Sequence, residues 1–119
     1  MSSSQRRRVV HLTDAIVAGQ GDGPLSPQPL ALGLLFAGNN AACVDYFGAR
    51  LLGYDPQLLP IVREAFGSYR WPISTAQPEE ITLAGDWGTG KIDRVLNREL
   101  PPVVHPFGWR DAAAGVRAK

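Results

Sequence analysis

The residues of this chain best suited to chemistry stand where apolar runs end. Asp14 closes residues 9–13, Asn39 and Asn40 follow residues 30–37, and Asp86 follows the alternating residues 80–84. In an open α/β sheet, ligands bind beyond the carboxyl ends of the strands, so these polar groups are expected to share one rim. Asp22 lies in a glycine loop, and Asp45 sits about a turn and a half into the segment that starts at Asn40. Its side chain is expected to tilt back toward that helix start. Carboxylates gathered near a helix N-terminus can hold a hard cation or divide acid and base roles. Asp14 and Asp45 are the catalytic candidates. Each group also has a structural explanation: Asp14 can cap a turn, Asn40 can cap a helix, and Asp45 suits the helix dipole.

Two glycine loops add ligand-binding candidates. Gly21-Asp22-Gly23-Pro24 can offer backbone N–H groups to an anion, because glycine lets a ligand approach the backbone closely. Residues 85–91, GDWGTGK, fit the phosphate-cradling spacing G-x-x-x-x-G-K, with Lys91 as the cation. Ile92 then stands where a magnesium-binding Ser or Thr belongs, and Trp87 would crowd the nest. Nucleotide hydrolysis is disfavoured on those grounds, and phosphate binding at this loop is a minor alternative. The ligand-binding set is therefore Gly21, Asp22, Gly23, Asn39, Asn40 and Lys91. Cys43 falls on the expected core face and reads as a small buried hydrophobe rather than a nucleophile. His11 and His105 form no metal-binding spacing with neighbours.

The elements that must position these groups read as α/β. Residues 9–13 form an expected first strand, and residues 19–29, rich in Gly and Pro, an expected loop. Residues 30–37 are almost all apolar, the pattern of a strand buried on both faces of a parallel sheet. Asn40 caps a helix that runs through Leu52 to Gly53, with Cys43, Phe47 and Leu51 on one face. A short helix over 60–66, a third strand over 80–84 and a last helix over 92–100 complete the order. The expectation is a small, mostly parallel sheet of three or four strands with helices packed on it, joined by a right-handed crossover. Residues 1–8 read as a disordered tail, 9–102 as a single domain, and 103–119 as an extended C-terminal arm.

Bulk properties narrow the function classes. The chain has 119 residues, 45% of them hydrophobic, and a formal net charge of +1. That supports one core and gives no general attraction to nucleic acid or anionic membrane. The basic run Arg6-Arg7-Arg8 reads as a solvated tail. No apolar run approaches a membrane span and no signal segment follows the arginines, so a cytoplasmic location is expected. The single cysteine fits a reducing compartment and excludes an iron–sulfur cluster ligated by this chain alone, which needs about four thiolates.

The segment from Asp14 to Pro56 resembles domain-of-unknown-function family 362, some of whose members also carry iron–sulfur clusters. Its pattern of Asp, Gly-x-Gly-Pro, an apolar strand, Gly-x-Asp-Pro-x-Ala-x-Asp and Leu-Gly-Tyr-Asp-Pro is met by several elements here. These are Asp14, Gly21 to Pro24, Leu32 to Ala37, Gly38 to Asp45, and Leu52-Gly53-Tyr54-Asp55-Pro56. Asn40-Ala41 replaces the family's Asp-Pro, and Cys43 its Ala. The loss of one negative charge at position 40 would weaken any metal site there. The resemblance covers the family's C-terminal half and implies a missing N-terminal half, supplied by another chain or made unnecessary by repurposing.

These readings converge on a small-molecule-binding or catalytic half-domain, its ligand an anion or a metal-linked molecule at the strand ends. A non-catalytic accessory protein that keeps the fold is the alternative. A divalent cation is compatible with the carboxylates, and the cofactor is otherwise open. The expected partners are a second copy of the chain or a separate chain supplying the missing half, with no nucleic acid and no membrane. The sheet edge, the aromatics Tyr69, Trp71, Trp87, Phe107 and Trp109, and the arm are the expected contact surfaces.

Overall fold

The computed structural model describes residues 7–114. Its dominant feature is a long antiparallel hairpin. Strand β1, His11–Asp22, pairs with β2, Ser26–Gly38, in a register that sets His11 opposite Gly38 and Asp22 opposite Ser26. Between Ala15 and Val17 the register slips, and β2 takes the extra residue. Gly33 lies opposite this slip at φ +68°, a left-handed conformation that disfavours a Cβ. Pro27 and Pro29 are tolerated because β2 has a free outer edge where no ladder N–H is needed.

The chain then enters helix α1, Ala41–Leu51, and a 3₁₀ turn at Pro56–Leu58. Helix α2, Pro60–Glu64, and a second 3₁₀ turn at Pro78–Glu80 lead to the hairpin of β3, Thr82–Gly85, and β4, Gly88–Lys91. One helical turn, α3 at Ile92–Val95, and a terminal 3₁₀ segment at Phe107–Ala112 finish the fold. Among the described residues no helix is long and apolar enough to cross a membrane.

This corrects the expected parallel α/β sheet. The described residues form two separate two-stranded antiparallel sheets with a few helices, an α+β arrangement. The difference lies in residues 19–29. Their glycines and prolines do not open a loop; both strands run on through them, and only Gly23, Pro24 and Leu25 turn the chain. With so short a connection, β1 and β2 must pair directly and antiparallel. The strand after α1 then pairs with its own sequence neighbour rather than with β2. The Gly85-Asp86-Trp87-Gly88 segment is a two-residue hairpin connection, a sequence type that favours such turns. The last helix ends at Val95 rather than Leu100.

Helix α1 carries the core. Leu51 and Ile92 are fully buried, surrounded by Phe47, Leu59, Val62 and Phe66. Phe36 of β2 meets Phe47 edge-on at 4.7 Å, and Tyr46 meets Phe66 at 5.7 Å. The first contact docks the base of the long hairpin on α1, and the second packs the end of the α2 segment against it. Gly38 makes the approach close: a Cβ there would stand 2.8 Å from Val44 Cγ2.

The C-terminal segment folds back on its own chain. The Gly21 N–H donates to the Val104 carbonyl at 2.6 Å, and the Val104 N–H donates to Gln20 Oε1 at 2.9 Å. His105 packs against Tyr54 with ring centroids 4.4 Å apart and planes inclined at 59°, and donates through Nε2 to the Leu52 carbonyl at 2.8 Å. The Ala114 N–H donates to the Gly53 carbonyl at 2.7 Å. The arm thus straps the hairpin tip to the end of α1. Residues 1–6 of the expected tail and 115–119 of the expected arm lie outside the described residues.

Candidate functional site

A groove of about 540 Å³ lies between the base of β2, the start of α1 and the β3–β4 hairpin. Gly38, Asn40, Cys43, Phe47, Asp86 and Trp87 are among its walls. Local sequence explains each wall. Gly38 ends β2 and allows α1 to start against the strand. Asn40 caps α1, its Oδ1 accepting from the Cys43 N–H at 3.3 Å. The asparagine Nδ2 donates to Ser74 Oγ at 2.9 Å, and the Ser74 hydroxyl donates to the Ala76 carbonyl at 2.8 Å. Ser74 is 5% exposed, so this relay pins the irregular segment 67–77 to the helix start. Trp87 is held from outside by Arg98, whose guanidinium carbon lies 4.1 Å from the ring centroid.

The start of α1 and the Asp86 carboxylate supply the charge of the groove. The first turn of α1 contains no acidic side chain. The amides of Ala41 and Ala42 have no intrahelical acceptor by position, so the helix presents a positive end. Cys43 stands beside it, half-buried, with burial pushing its thiol pKa up and the neighbouring Ser74 hydroxyl opposing that more weakly. Burial thus keeps the sulfur in its thiol form, against a nucleophilic role.

The sequence-derived candidates divide between two places. Asn39 and Asn40 line the groove, and Asp86 joins them. Gly21, Asp22 and Gly23 lie at the far tip of the hairpin. From His11, beside Gly38, to Asp22 is eleven steps of strand, a separation of about 36 Å at ~3.3 Å per residue. No small ligand spans that. The physical reason is antiparallel pairing, which sends the carboxyl end of β1 and the carboxyl end of β2 to opposite ends of the sheet. At the tip, Asp22 Oδ1 accepts from the Phe107 N–H at 3.1 Å, and Gly21 is engaged by Val104. Asp14 is exposed in mid-strand, opposite Leu35, and its Oδ1 accepts from the Ile16 N–H at 3.0 Å where the register slips. Asp45 is exposed on α1, and neither it nor Asp14 lines the groove. Lys91 ends β4 and is the N-cap residue of α3 without a side-chain capping bond.

Among the described residues there is no grouping of three or more His, Cys, Asp or Glu able to hold a metal ion. Sequence reasoning missed Ser74, which sits in a segment without periodicity, and gave no signal for its pairing with Asn40. The packing of His105 against Tyr54 also has no local sequence signal.

No protein-family model, curated protein or solved structure matches this chain.

Proposed function

We propose that this chain is a small-molecule-binding domain whose ligand is a small organic anion, of carboxylate or phosphate type, seated at the start of α1. The observation that carries the reading is the coincidence of the groove with the Gly38-Asn39-Asn40-Ala41 helix start. A volume of about 540 Å³ suits a metabolite-sized ligand. Apolar walls from Leu34, Phe36 and Phe47 would take the ligand's body. The unneutralised helix end would take its negative group. Asp86, exposed at the rim, would accept from a hydroxyl or ammonium on the same molecule.

The resemblance to domain-of-unknown-function family 362 supports a ligand site in this segment, because Gly38 to Asp45 is part of the shared pattern. Within that resemblance Asn40 is the telling departure. An amide at the helix start keeps the cap and removes a negative charge, which suits an anion better than a cation. The same departure favours binding over catalysis, since Asp14 and Asp45 stand outside the groove. A reducing compartment such as the cytoplasm accords with one unpaired cysteine.

Trp87 supplies the assay. In a Trp71→Phe/Trp109→Phe background its fluorescence is titrated with inorganic phosphate, benzoate and a short hydroxycarboxylate. Saturable quenching or enhancement is expected for at least one of them, weakened at least tenfold by Asn40→Asp. Absence of a saturable change up to about 10 mM ligand, an affinity too weak to matter, would refute the reading. So would an unchanged affinity in Asn40→Asp.

A further inference from the structure

The groove at the start of α1 carries little charge and three aromatic rings. Among the described residues that line it there is no lysine, arginine or histidine, and Asp86 is the one carboxylate. The helix end is worth about half a positive charge. That offsets much of one negative charge, while a second would go uncompensated and be repelled by Asp86. A phosphate monoester carries close to two charges at neutral pH. The groove therefore suits a singly charged carboxylate better than a phosphate ester.

The rings are Phe36, Phe47 and Trp87. The two phenylalanines are engaged with each other, edge to face at 4.7 Å, and Phe47 is buried. Trp87 differs from them. It is half-buried, packs against the core, and borders a second cleft of about 230 Å³ that holds Arg94 and Arg98. The indole thus stands between groove and cleft. On the cleft side the Arg98 guanidinium carbon lies 4.1 Å from the ring centroid and closes one face of the indole. Both ion pairs among the described residues lie elsewhere, Arg50 with Asp93 and Arg63 with Glu64, so no carboxylate draws Arg98 off the ring. A cation over one face pulls π density toward itself, and the opposite face then suits another ring in preference to a second cation.

We infer, resting on the reading that the groove is the ligand site, that its ligand is an aromatic monocarboxylate. The carboxylate sits at the start of α1, and the ring lies offset on the face of Trp87 that Arg98 leaves free. Arg98 is a positioning residue, since it touches the indole and not the ligand. Stacking of this kind should make an aromatic acid bind roughly three- to tenfold tighter than an aliphatic acid of like size.

A ¹H NMR titration of the full chain with benzoate, cyclohexanecarboxylate and phenyl phosphate tests this. Benzoate should bind at least threefold tighter than cyclohexanecarboxylate, and its ring protons should move upfield under the indole. Phenyl phosphate should bind more weakly than benzoate. Trp87→Leu should level benzoate and cyclohexanecarboxylate and abolish the upfield shift, with circular dichroism confirming the fold. Trp87→Phe keeps a ring and should keep most of the preference. Arg98→Gln should reduce the benzoate preference and leave cyclohexanecarboxylate unchanged. Equal binding of benzoate and cyclohexanecarboxylate would overturn the inference and leave the groove reading standing, whereas no binding of any of the three would refute the groove reading itself. A preference for benzoate that survives Trp87→Leu would overturn the role of Trp87. Phenyl phosphate binding tighter than benzoate would overturn the assignment of a single charge.

Discussion

Replacing Asn40 by alanine should remove two interactions that together hold the groove. The first is the cap, Oδ1 accepting from the Cys43 N–H at 3.3 Å, and loss of an asparagine cap costs about 1 kcal/mol. The second is the Nδ2 donation to buried Ser74 Oγ at 2.9 Å. Its loss leaves the serine oxygen with no donor, a further ~1 kcal/mol in a buried site. The sum, about 2 kcal/mol, lowers the melting temperature by about 6–10 °C for a domain of this size. Asn40→Asp separates the two contributions. It keeps the cap and gains roughly 0.5 kcal/mol from the helix dipole. It also turns a carboxylate toward a serine whose only proton is already given to the Ala76 carbonyl. The net change is expected within about 1 kcal/mol of zero. Ser74→Ala with Asn40→Ala completes a double-mutant cycle in urea, with an expected coupling of about 0.5–1 kcal/mol. Asn40→Ala within 0.5 kcal/mol of the parent, about the error of such comparisons, or a coupling of zero, would refute the relay.

Gly38→Ala should destabilise by about 1–3 kcal/mol, because its Cβ would meet Val44 Cγ2 at 2.8 Å on a stiff side chain; a thermal melt checks this, and Gly38→Ala/Val44→Ala should recover part of the loss. His105→Ala removes the ring contact with Tyr54 and the bond to the Leu52 carbonyl, so amide exchange at Gly21 and Val104 should quicken while the core of α1 is unaffected. Burial raises the pKa of Cys43 above its ordinary 9.0 and of Tyr54 above 10.0. The folded state therefore holds these protons more tightly than the unfolded chain, and stability should fall as pH rises above about 9. Urea titrations at pH 8 and 10 should show this decline, reduced in Cys43→Ser.

Sequence periodicity resolved the helix and misjudged the sheet, for reasons visible in particular residues. Asn40 at the start, Phe47 and Leu51 on one face, and Gly53 past the end set α1 by local rules alone, and its observed bounds follow them. Strand pairing depends on distant partners. Residues 19–29 carry Gly and Pro at positions that an edge strand tolerates, so their composition resembled a loop while their backbone extends two strands. A loop there would leave the first strand free of direct pairing with the second and would let the ends carrying Asp14 and Asn40 share one rim. Antiparallel pairing places Asp22 and Asn40 at opposite ends. Asn39 and Asn40 belonged to a legible site because they depend only on the β2–α1 junction. The Asn40–Ser74 bond and the strap by Val104 and His105 arise from contacts across 34, 84 and 53 residues of chain, which no local pattern encodes.

The central claim, that the start of α1 is the ligand site, is tested most directly by amide chemical shifts. Inorganic phosphate or a short carboxylate is added to ¹⁵N-labelled protein and the perturbed backbone amides are mapped. Saturable shifts are expected, confined to residues 38–44 and 85–88 on the two walls of the groove. Shifts centred on Gly21, Asp22 and Gly23 at the hairpin tip, or none at either place, would contradict it.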